Sequence, residues 1–174
     1  MSVQSEFLPL TLCVLTVSDS RTPDNDGSGD FLALALGQAG HQLGERLIVE
    51  DNRYRIRAHV SRWIADENVH GVLITGGTGF TGRDSTPEAV APLLDKEMPG
   101  FGELFRQISY EEIGTSSLQS RAFAGLANGT FIFCLPGSPS ACRTAWDKLI
   151  RSQLDATTRP CNLAGLMPRL NEPA

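Results

Sequence analysis

The stretch from Val72 to Ala89 constrains the fold more than any other part of this chain. Its apolar start, Val72 to Thr75, suits a buried strand, and a glycine-rich loop, Gly76 to Gly79, follows directly. Ser85 to Glu88 then has the hydroxyl, early proline and acid that are typical of a helix start. We therefore predict a strand, a glycine loop and a helix N-terminus. Such a loop exposes backbone N–H groups and favours an anionic ligand, with phosphate as the first hypothesis.

Two familiar nucleotide-binding motifs nearly match this loop. Gly77-x-Gly79-x-x-Gly82 fits the dinucleotide pattern, but that pattern belongs to the first strand–helix unit, and two units come earlier here. A P-loop would need lysine and Ser/Thr where Arg83 and Asp84 stand. We reject both motif assignments. An NAD-type oxidoreductase, which the G-x-G-x-x-G match suggests, is the least favoured functional hypothesis, and failure to bind any dinucleotide would exclude it. A tight turn without ligand is the remaining alternative. Asp84 argues against it, because an acid repels phosphate unless a metal or a reaction requires it.

The order of apolar and amphipathic segments predicts the fold. Strands and helices alternate along the first half of the chain, and Asn128-Gly129 is typical of a tight hairpin turn. We predict an α/β fold with a three-layer, doubly wound, mostly parallel sheet and one β-hairpin. The predicted strands are residues 12–17, 41–49, 71–75, 120–127 and 130–135, and Ser28 is the predicted cap of the first helix.

One domain is expected over residues 1–174, with an N-terminal arm (1–9) and a C-terminal tail (159–174). Phe123, Phe131 and Phe133 are candidates for either the core or a contact between subunits.

Composition excludes several classes of protein. The net charge of −5 argues against nucleic-acid binding, which requires a basic face. No apolar run reaches membrane length, and the N-terminus lacks the pattern of a signal peptide. The four cysteines have neither C-x-x-C nor zinc-site spacing, so we expect a protein of the reducing cytoplasm. From the charge and the apolar runs we expect it to bind neither nucleic acid nor membrane.

Four polar segments follow predicted strands, and they should converge because ligands in open α/β sheets lie beyond the carboxyl ends of the strands. These segments are Ser18–Arg21, Glu50–Asn52, Gly76–Asp84 and Pro136–Pro139. Backbone donors would come from Gly76, Gly77, Thr78 and Gly79, and hydroxyls from Thr81, Ser85 and Ser138. The hydroxyl-rich Thr115–Ser117 either caps a short helix or contacts a ligand. Arg83 and Arg121 either clamp negative charge or lie on the surface.

Three acids stand at or just past different strand ends: Asp19, Asp51 and Asp84. Asp19 and Asp51 have the alternative role of capping turns or helices. If two of the acids face each other beside phosphate, Mg²⁺ is the natural bridging ion, since it prefers oxygen ligands and substrate phosphates. This arrangement points to nucleotidyl transfer.

Five stretches together carry a resemblance to a known family: TVSDSR (16–21), ITGGTGFTGRDSTPEA (74–89), MPGFGELFRQIS (98–109), SLQSRAFAG (117–125) and LPGSPSAC (135–142). Their order and spacing resemble the MogA/MoaB family of molybdenum-cofactor biosynthesis proteins. The stretches EDNRYRIRAHVSRWIA, EEIGTSSLQSRA, ACRTAW and LDATTRPCN look particularly like its bacterial MoaB branch.

The resemblance implies a molybdopterin-binding fold that assembles as a homotrimer or, in MoaB, a hexamer. Active members of the family use ATP and Mg²⁺ to adenylylate molybdopterin and release pyrophosphate. Some MoaB proteins retain the pterin site without clear adenylyltransferase activity, so a non-catalytic molybdopterin-binding protein is the alternative function.

The family's two essential aspartates, which are the expected catalytic and metal-binding residues, fall on Asp51 and Asp84. The expected substrate-binding residues are Ser18, Asp19, Gly76, Gly77, Thr78, Gly79, Thr81, Arg83, Ser120, Arg121, Pro136, Gly137, Ser138 and Pro139. The chain departs from the family's T-V-S-D-R start by one residue inserted before Arg21.

Overall fold

The computed structural model describes residues 6–172, so residues 1–5 of the predicted arm and the last two of the tail lie outside the described residues. Within the described residues, six strands form one mixed sheet in the order β2-β1-β3-β6-β5-β4. Their bounds are β1 Thr11–Val17, β2 Gln42–Val49, β3 Gly71–Thr75, β4 Lys96–Glu97, β5 Phe123–Ala127 and β6 Thr130–Leu135. The strands β1, β2, β3 and β6 are parallel, whereas β5 is antiparallel to β6 and to β4. The doubly wound, mostly parallel sheet is confirmed.

Helices cover both faces of this sheet. They are α1 Gly27–Gln38, α2 Arg53–Ile64, α3 Thr86–Val90, α4 Pro99–Ile113, α5 Pro139–Ala145 and α6 Arg151–Gln153. A 3₁₀ helix, Gly114–Gln119, continues α4, and a π-helical turn, Trp146–Ile150, joins α5 to α6. Within residues 6–172, no helix has the length and apolar character required to cross a membrane.

The start of α1 differs from the sequence-based prediction. Asp26, not Ser28, is the N-cap, and its carboxylate accepts a hydrogen bond from the Gly29 N–H at 3.0 Å. The hydroxyl of Ser28 instead donates to the carbonyl oxygen of Gly137 at 2.7 Å. A buried carboxylate with several donors is a stronger acceptor for a helix end than a hydroxyl, which explains the exchange of roles.

Alternation along the strands divides the core into two layers. In β1, Leu12 and Val14 pack against α1, α4 and α5, while Cys13 and Leu15 face α2 and α3. Because successive side chains in a strand point to opposite faces, one continuously apolar strand supplies both layers. This pattern accounts for the near-continuous apolar sequence of the central strands.

The predicted hairpin is present. Asn128 and Gly129 form its turn with positive φ angles of 46° and 79°, as a tight hairpin turn requires. Phe131 and Phe133 are core residues, each 2% exposed, and Phe123 is partly buried against the second core layer. The short edge strand β4, which the sequence pattern did not reveal, pairs with β5.

Candidate functional site

A cleft of about 690 Å³ opens at the carboxyl ends of β1, β3 and β6. The strand order reverses between β1 and β3, which makes this edge the switch point where α/β sheets bind ligands. The end of α4 and the 3₁₀ helix that follows it complete the lining. The predicted site residues that line the cleft are Ser18, Gly76, Gly77, Thr78, Gly79, Asp84, Ser120, Pro136, Gly137, Ser138 and Pro139.

The glycine loop follows β3 and requires its glycines. Gly76 and Gly77 have φ angles of +100° and +66°, which residues with a Cβ rarely adopt. A methyl group on Gly77 would overlap the Thr86 hydroxyl and lie 2.7 Å from Oδ2 of Asp51. The hydroxyl of Thr86 donates to the Gly76 carbonyl oxygen at 2.8 Å, so the start of α3 fixes the loop.

Asp84 lies on the glycine-loop side of the cleft. Its Oδ2 accepts hydrogen bonds from the N–H and the hydroxyl of Thr81, at 2.8 and 2.6 Å. Partial burial would raise the pKa of Asp84, but these bonds, a further backbone bond from Gly79 and the charge of Arg121 hold that pKa below its ordinary value. The carboxylate is therefore ionised at neutral pH and available to a cation.

Asp51 lies directly behind the same loop. Its Oδ1 accepts a 3.0 Å hydrogen bond from the Ser85 N–H and another from the Ser85 hydroxyl, while Oδ2 is on the Gly77 side. Asp51 and Asp84 thus flank one loop, with Asp84 on the cleft wall and Asp51 beside Gly77.

The donor set near the loop fits Mg²⁺. Both acids offer carboxylate oxygens of the hard type that this ion prefers, next to backbone suited to phosphate. Among residues 6–172, no group of three or more His, Cys, Asp or Glu side chains forms a preformed metal site. Oxygen atoms of a bound phosphate or water would therefore have to complete the coordination.

The loop with the inserted residue is ordered by a network around Asp26. Ser18 Oγ accepts hydrogen bonds from the N–H groups of Ser20 and Arg21, so the extra residue fits in a tight turn. Arg21 reaches the cleft wall and donates to Asp26 at 3.3 Å and to Ser28 at 3.0 Å. It therefore brings positive charge to the cleft.

Asp26 is fully buried at the centre of this network. Burial would raise its pKa, but hydrogen bonds from Gly29, Thr16 (2.7 Å) and Arg46 (2.9 Å) together hold that pKa below its ordinary value. An ionised Asp26 anchors Arg21 from beneath the cleft.

Five predicted site residues lie beside the cleft rather than on its lining: Asp19, Asp51, Thr81, Arg83 and Arg121. Arg83 pairs with Asp19 through two hydrogen bonds of 2.9 and 2.6 Å, and both side chains are largely exposed. Arg121 donates to the carbonyl oxygens of Gly79 and Asp84 and pairs with Glu88. In this structure Arg121 supports the loop from behind.

The end of α4 supplies a wall that the sequence analysis missed. Phe105, Ser109 and Glu112 line the cleft from α4, and Ser116, Ser117 and Gln119 line it from the 3₁₀ helix. Only the hydroxyls of Ser116 and Ser117 had a sequence pattern that indicated ligand contact. Phe105, Ser109 and Glu112 belong to an ordinary amphipathic helix, whose role at a cleft is visible only after the helix docks.

Comparisons with known proteins agree with this architecture. Residues 13–156 match the family described as "Probable molybdopterin binding domain". The chain is 57% identical over 160 residues to Molybdenum cofactor biosynthesis protein B of Escherichia coli (strain K12), which covers 92% of this chain and 94% of that protein.

Two solved structures show the same fold. The crystal structure of a Molybdenum cofactor biosynthesis protein B superposes with a TM-score of 0.80 at 46% identity, covering 83% of this chain and 91% of that one. The tungsten cofactor synthesizing protein MoaB of Pyrococcus furiosus gives a TM-score of 0.76 at 35% identity, covering 84% and 92%.

The sheet order and the switch-point cleft define a domain of the molybdopterin-binding α/β fold. The matched family and the identity to its members then give the specific assignment. The chain belongs to the MogA/MoaB family of molybdenum cofactor biosynthesis proteins.

Proposed function

We propose that the protein acts in molybdenum cofactor biosynthesis as a molybdopterin adenylyltransferase. The observation that carries this proposal is the glycine loop, which lines the cleft and whose two sides hold the carboxylates of Asp51 and Asp84. Relatives named for molybdenum cofactor biosynthesis support the pathway. The adenylyl step itself rests on the chemistry of the loop and its acids.

In the proposed reaction, an oxygen of the terminal phosphate of molybdopterin attacks the α-phosphorus of ATP. A new P–O bond forms, the bond from the α-phosphorus to the bridging oxygen breaks, and pyrophosphate leaves with the electron pair. Catalysis of such a transfer is largely a matter of positioning reactants and stabilising negative charge.

The groups on and beside the cleft wall have distinct roles in the proposed reaction. The N–H groups of Gly77 and Thr78 bind phosphate oxygens, because those of Gly76 and Gly79 already donate to the Leu135 carbonyl oxygen and to the Asp84 carboxylate. The guanidinium of Arg21 balances the phosphate charge. The hydroxyl of Ser138, which caps α5, is a further donor at the same edge. Asp51 and Asp84 would hold Mg²⁺. When bound, that ion would neutralise charge on the phosphates.

The family resemblance also supports a homo-oligomeric, cytoplasmic protein, which we propose to be a trimer or a hexamer. Sedimentation equilibrium distinguishes three copies from six. A monomer at micromolar concentration would contradict this part of the proposal.

An adenylylation assay tests the proposed activity. Purified protein is given molybdopterin, ATP and Mg²⁺, and AMP transfer is measured beside an active homologue. Asp84→Asn should lower turnover by about a hundredfold or more, because the amide keeps the Thr81 contact but lacks the charge that holds a cation.

Asp24→Asn is the matched control, because Asp24 is exposed and lies off the cleft lining. It should leave turnover unchanged. Absence of AMP transfer by the wild-type chain, with the homologue active, would refute the enzyme proposal.

A molybdopterin-binding protein without catalysis is the second candidate. The observation that favours it is the position of Asp51, which is off the cleft lining and has Oδ1 engaged by Ser85. Molybdopterin binding that is unchanged by removal of Mg²⁺, and equally tight in Asp84→Asn, would favour this candidate over the enzyme.

A further inference from the structure

A carboxylate lies on the α4 wall of the cleft, away from the residues assigned to phosphate. Glu112 lines the cleft, and the hydroxyl of Thr144 on α5 lies 3.1 and 2.9 Å from its two carboxylate oxygens. Thr144 is buried, with 8% of its surface exposed. The buried hydroxyl holds one side of an otherwise exposed carboxylate, which leaves acceptor positions on both oxygens open to a ligand.

The helix α5 separates this carboxylate from the phosphate end of the cleft. Ser138 caps the start of α5 beside the glycine turns, and Thr144 lies near the end of the helix. Six residues at the usual rise correspond to about 9 Å along the axis. That separation is on the scale of a fused heterocycle, so a ligand with phosphate at one end would place its ring system toward Glu112.

The rest of this wall suits a flat, polar ring. Phe105 is a core residue that also lines the cleft, and Ser109 and Gln119 provide neutral hydrogen-bonding groups near it. An apolar surface bordered by a few polar groups is typical of sites that bind small heterocycles.

We propose that Glu112 is the residue by which the cleft selects a pterin, through the 2-amino-4-oxopyrimidine edge of the ring. This inference rests on the proposed function, in which molybdopterin is the ligand. The amino group at position 2 and the adjacent ring N–H form a pair of neighbouring donors, and a carboxylate presents the matching pair of acceptors. Hydrogen bonds of this charge-assisted, paired type are strong and geometrically selective.

The test compares two ligands that differ only at this edge. The probes are 6-hydroxymethylpterin phosphate and the corresponding lumazine, in which a carbonyl replaces the 2-amino group. Binding is followed by the intrinsic fluorescence of the ligands. The wild-type protein should prefer the pterin by about ten- to a hundredfold, because the lumazine carbonyl faces the carboxylate without a donor.

Glu112→Gln should abolish most of this preference, since the amide offers one acceptor and can donate to the lumazine carbonyl. Glu111→Gln is the matched control, because Glu111 is exposed on the same helix and off the cleft lining. It should keep the wild-type preference. Both side chains are exposed, so thermal melts of the two variants should match the wild type.

The two ways of failing are distinct. Wild-type protein that binds the pterin while Glu112→Gln keeps the full preference would overturn the role of Glu112 and leave the proposed function standing. Wild-type protein that binds neither the pterin probe nor molybdopterin would overturn the proposed function and this inference together.

Discussion

The guanidinium of Arg21 donates a hydrogen bond from Nη2 to the carbonyl oxygen of Gly137 at 3.0 Å, although the residues are 116 positions apart. Arg21 follows β1 and Gly137 follows β6, and both strands pair with β3 between them. The contact therefore joins the turns on either side of the glycine loop. The Ser28 hydroxyl donates to the same carbonyl oxygen and strengthens this connection.

Replacing Arg21 should loosen both turns. Arg21→Ala removes the contact to Gly137 and one partner of the buried Asp26, whose side chain is 0% exposed. We expect a loss of about 1–2 kcal/mol in the free energy of unfolding, measured by urea titration, and weaker molybdopterin binding.

Arg83→Ala provides the comparison, because Arg83 pairs with Asp19 on the surface. It should leave the melting temperature unchanged, since exposed ion pairs contribute little. Equal destabilisation by Arg21→Ala and Arg83→Ala would contradict the conclusion that Arg21 stabilises the fold and Arg83 does not.

The glycine loop should not tolerate a side chain at Gly77. In Gly77→Ala, the new methyl group meets Thr86 and Asp51 at a φ angle of +66°. We expect a cost of about 1–3 kcal/mol and loss of molybdopterin binding, because the loop must shift its N–H groups. Gly82→Ala is the control, since open space surrounds that position. Binding retained by Gly77→Ala would show that the loop does not hold the ligand.

Stability should depend on pH through two histidines whose imidazoles accept backbone hydrogen bonds. Nδ1 of His70 accepts from the Thr11 N–H at 2.9 Å, and Nδ1 of His41 accepts from Leu10 at 3.2 Å. Burial lowers the pKa of both, and Asp155 partly opposes this shift at His41.

When folding lowers the pKa of a histidine, its neutral form contributes fully to the free energy of unfolding at pH values above the pKa of the unfolded chain, which is about 6.5. As pH falls below that value, the unfolded chain takes up protons first and stability decreases, until pH passes below the folded-state pKa values. Each imidazole contributes a slope of at most about 1.4 kcal/mol per pH unit.

The variant His70→Asn keeps an acceptor for Thr11 but cannot titrate, so it should flatten the decrease in stability between pH 7 and 5. Urea titrations of wild type and variant at several pH values measure this difference. An unaltered slope would exclude His70 as a contributor.

Thiol reactivity should separate one cysteine from the other three. Cys161 is exposed, whereas Cys13, Cys134 and Cys142 are buried. Burial raises the pKa of Cys13 and of Cys142 to about 11, and that of Cys134 well above its ordinary value. Because the thiolate is the reactive form, a colorimetric thiol reagent should titrate one group in the native protein and four after unfolding. Fast reaction of two or more native thiols would contradict this arrangement.

Local patterns were sufficient to predict much of the fold. The run from Val72 to Glu88 predicted the strand, loop and helix that form β3 and α3, and Asn128-Gly129 predicted the hairpin. These predictions succeeded because apolar periodicity, glycine and early proline act through the nearest few residues. The prediction that Ser28 caps α1 was wrong. The cap is Asp26, which accepts hydrogen bonds from Thr16 and Arg46, and no local pattern reveals those contacts.

The candidate site was predictable only in part. Strand ends in an open α/β sheet point to one edge, so the approach of Ser18, Gly76 and Pro136 to one cleft follows from strand order alone. Arg83 and Arg121 were candidates for clamping negative charge because of their residue type and their position in the sequence. In the structure, Arg21 reaches the cleft wall and Arg121 bonds the loop carbonyls.

The sequence by itself determined the succession of strands and helices, the two core layers and the identity of the glycine loop. Their causes are steric and hydrophobic preferences that act over a few residues. Only the tertiary structure decided that the end of α4 closes the cleft with Glu112 and that Asp26 anchors Arg21. Those outcomes depend on contacts between distant segments, whose geometry exists only once the helices have docked on the sheet.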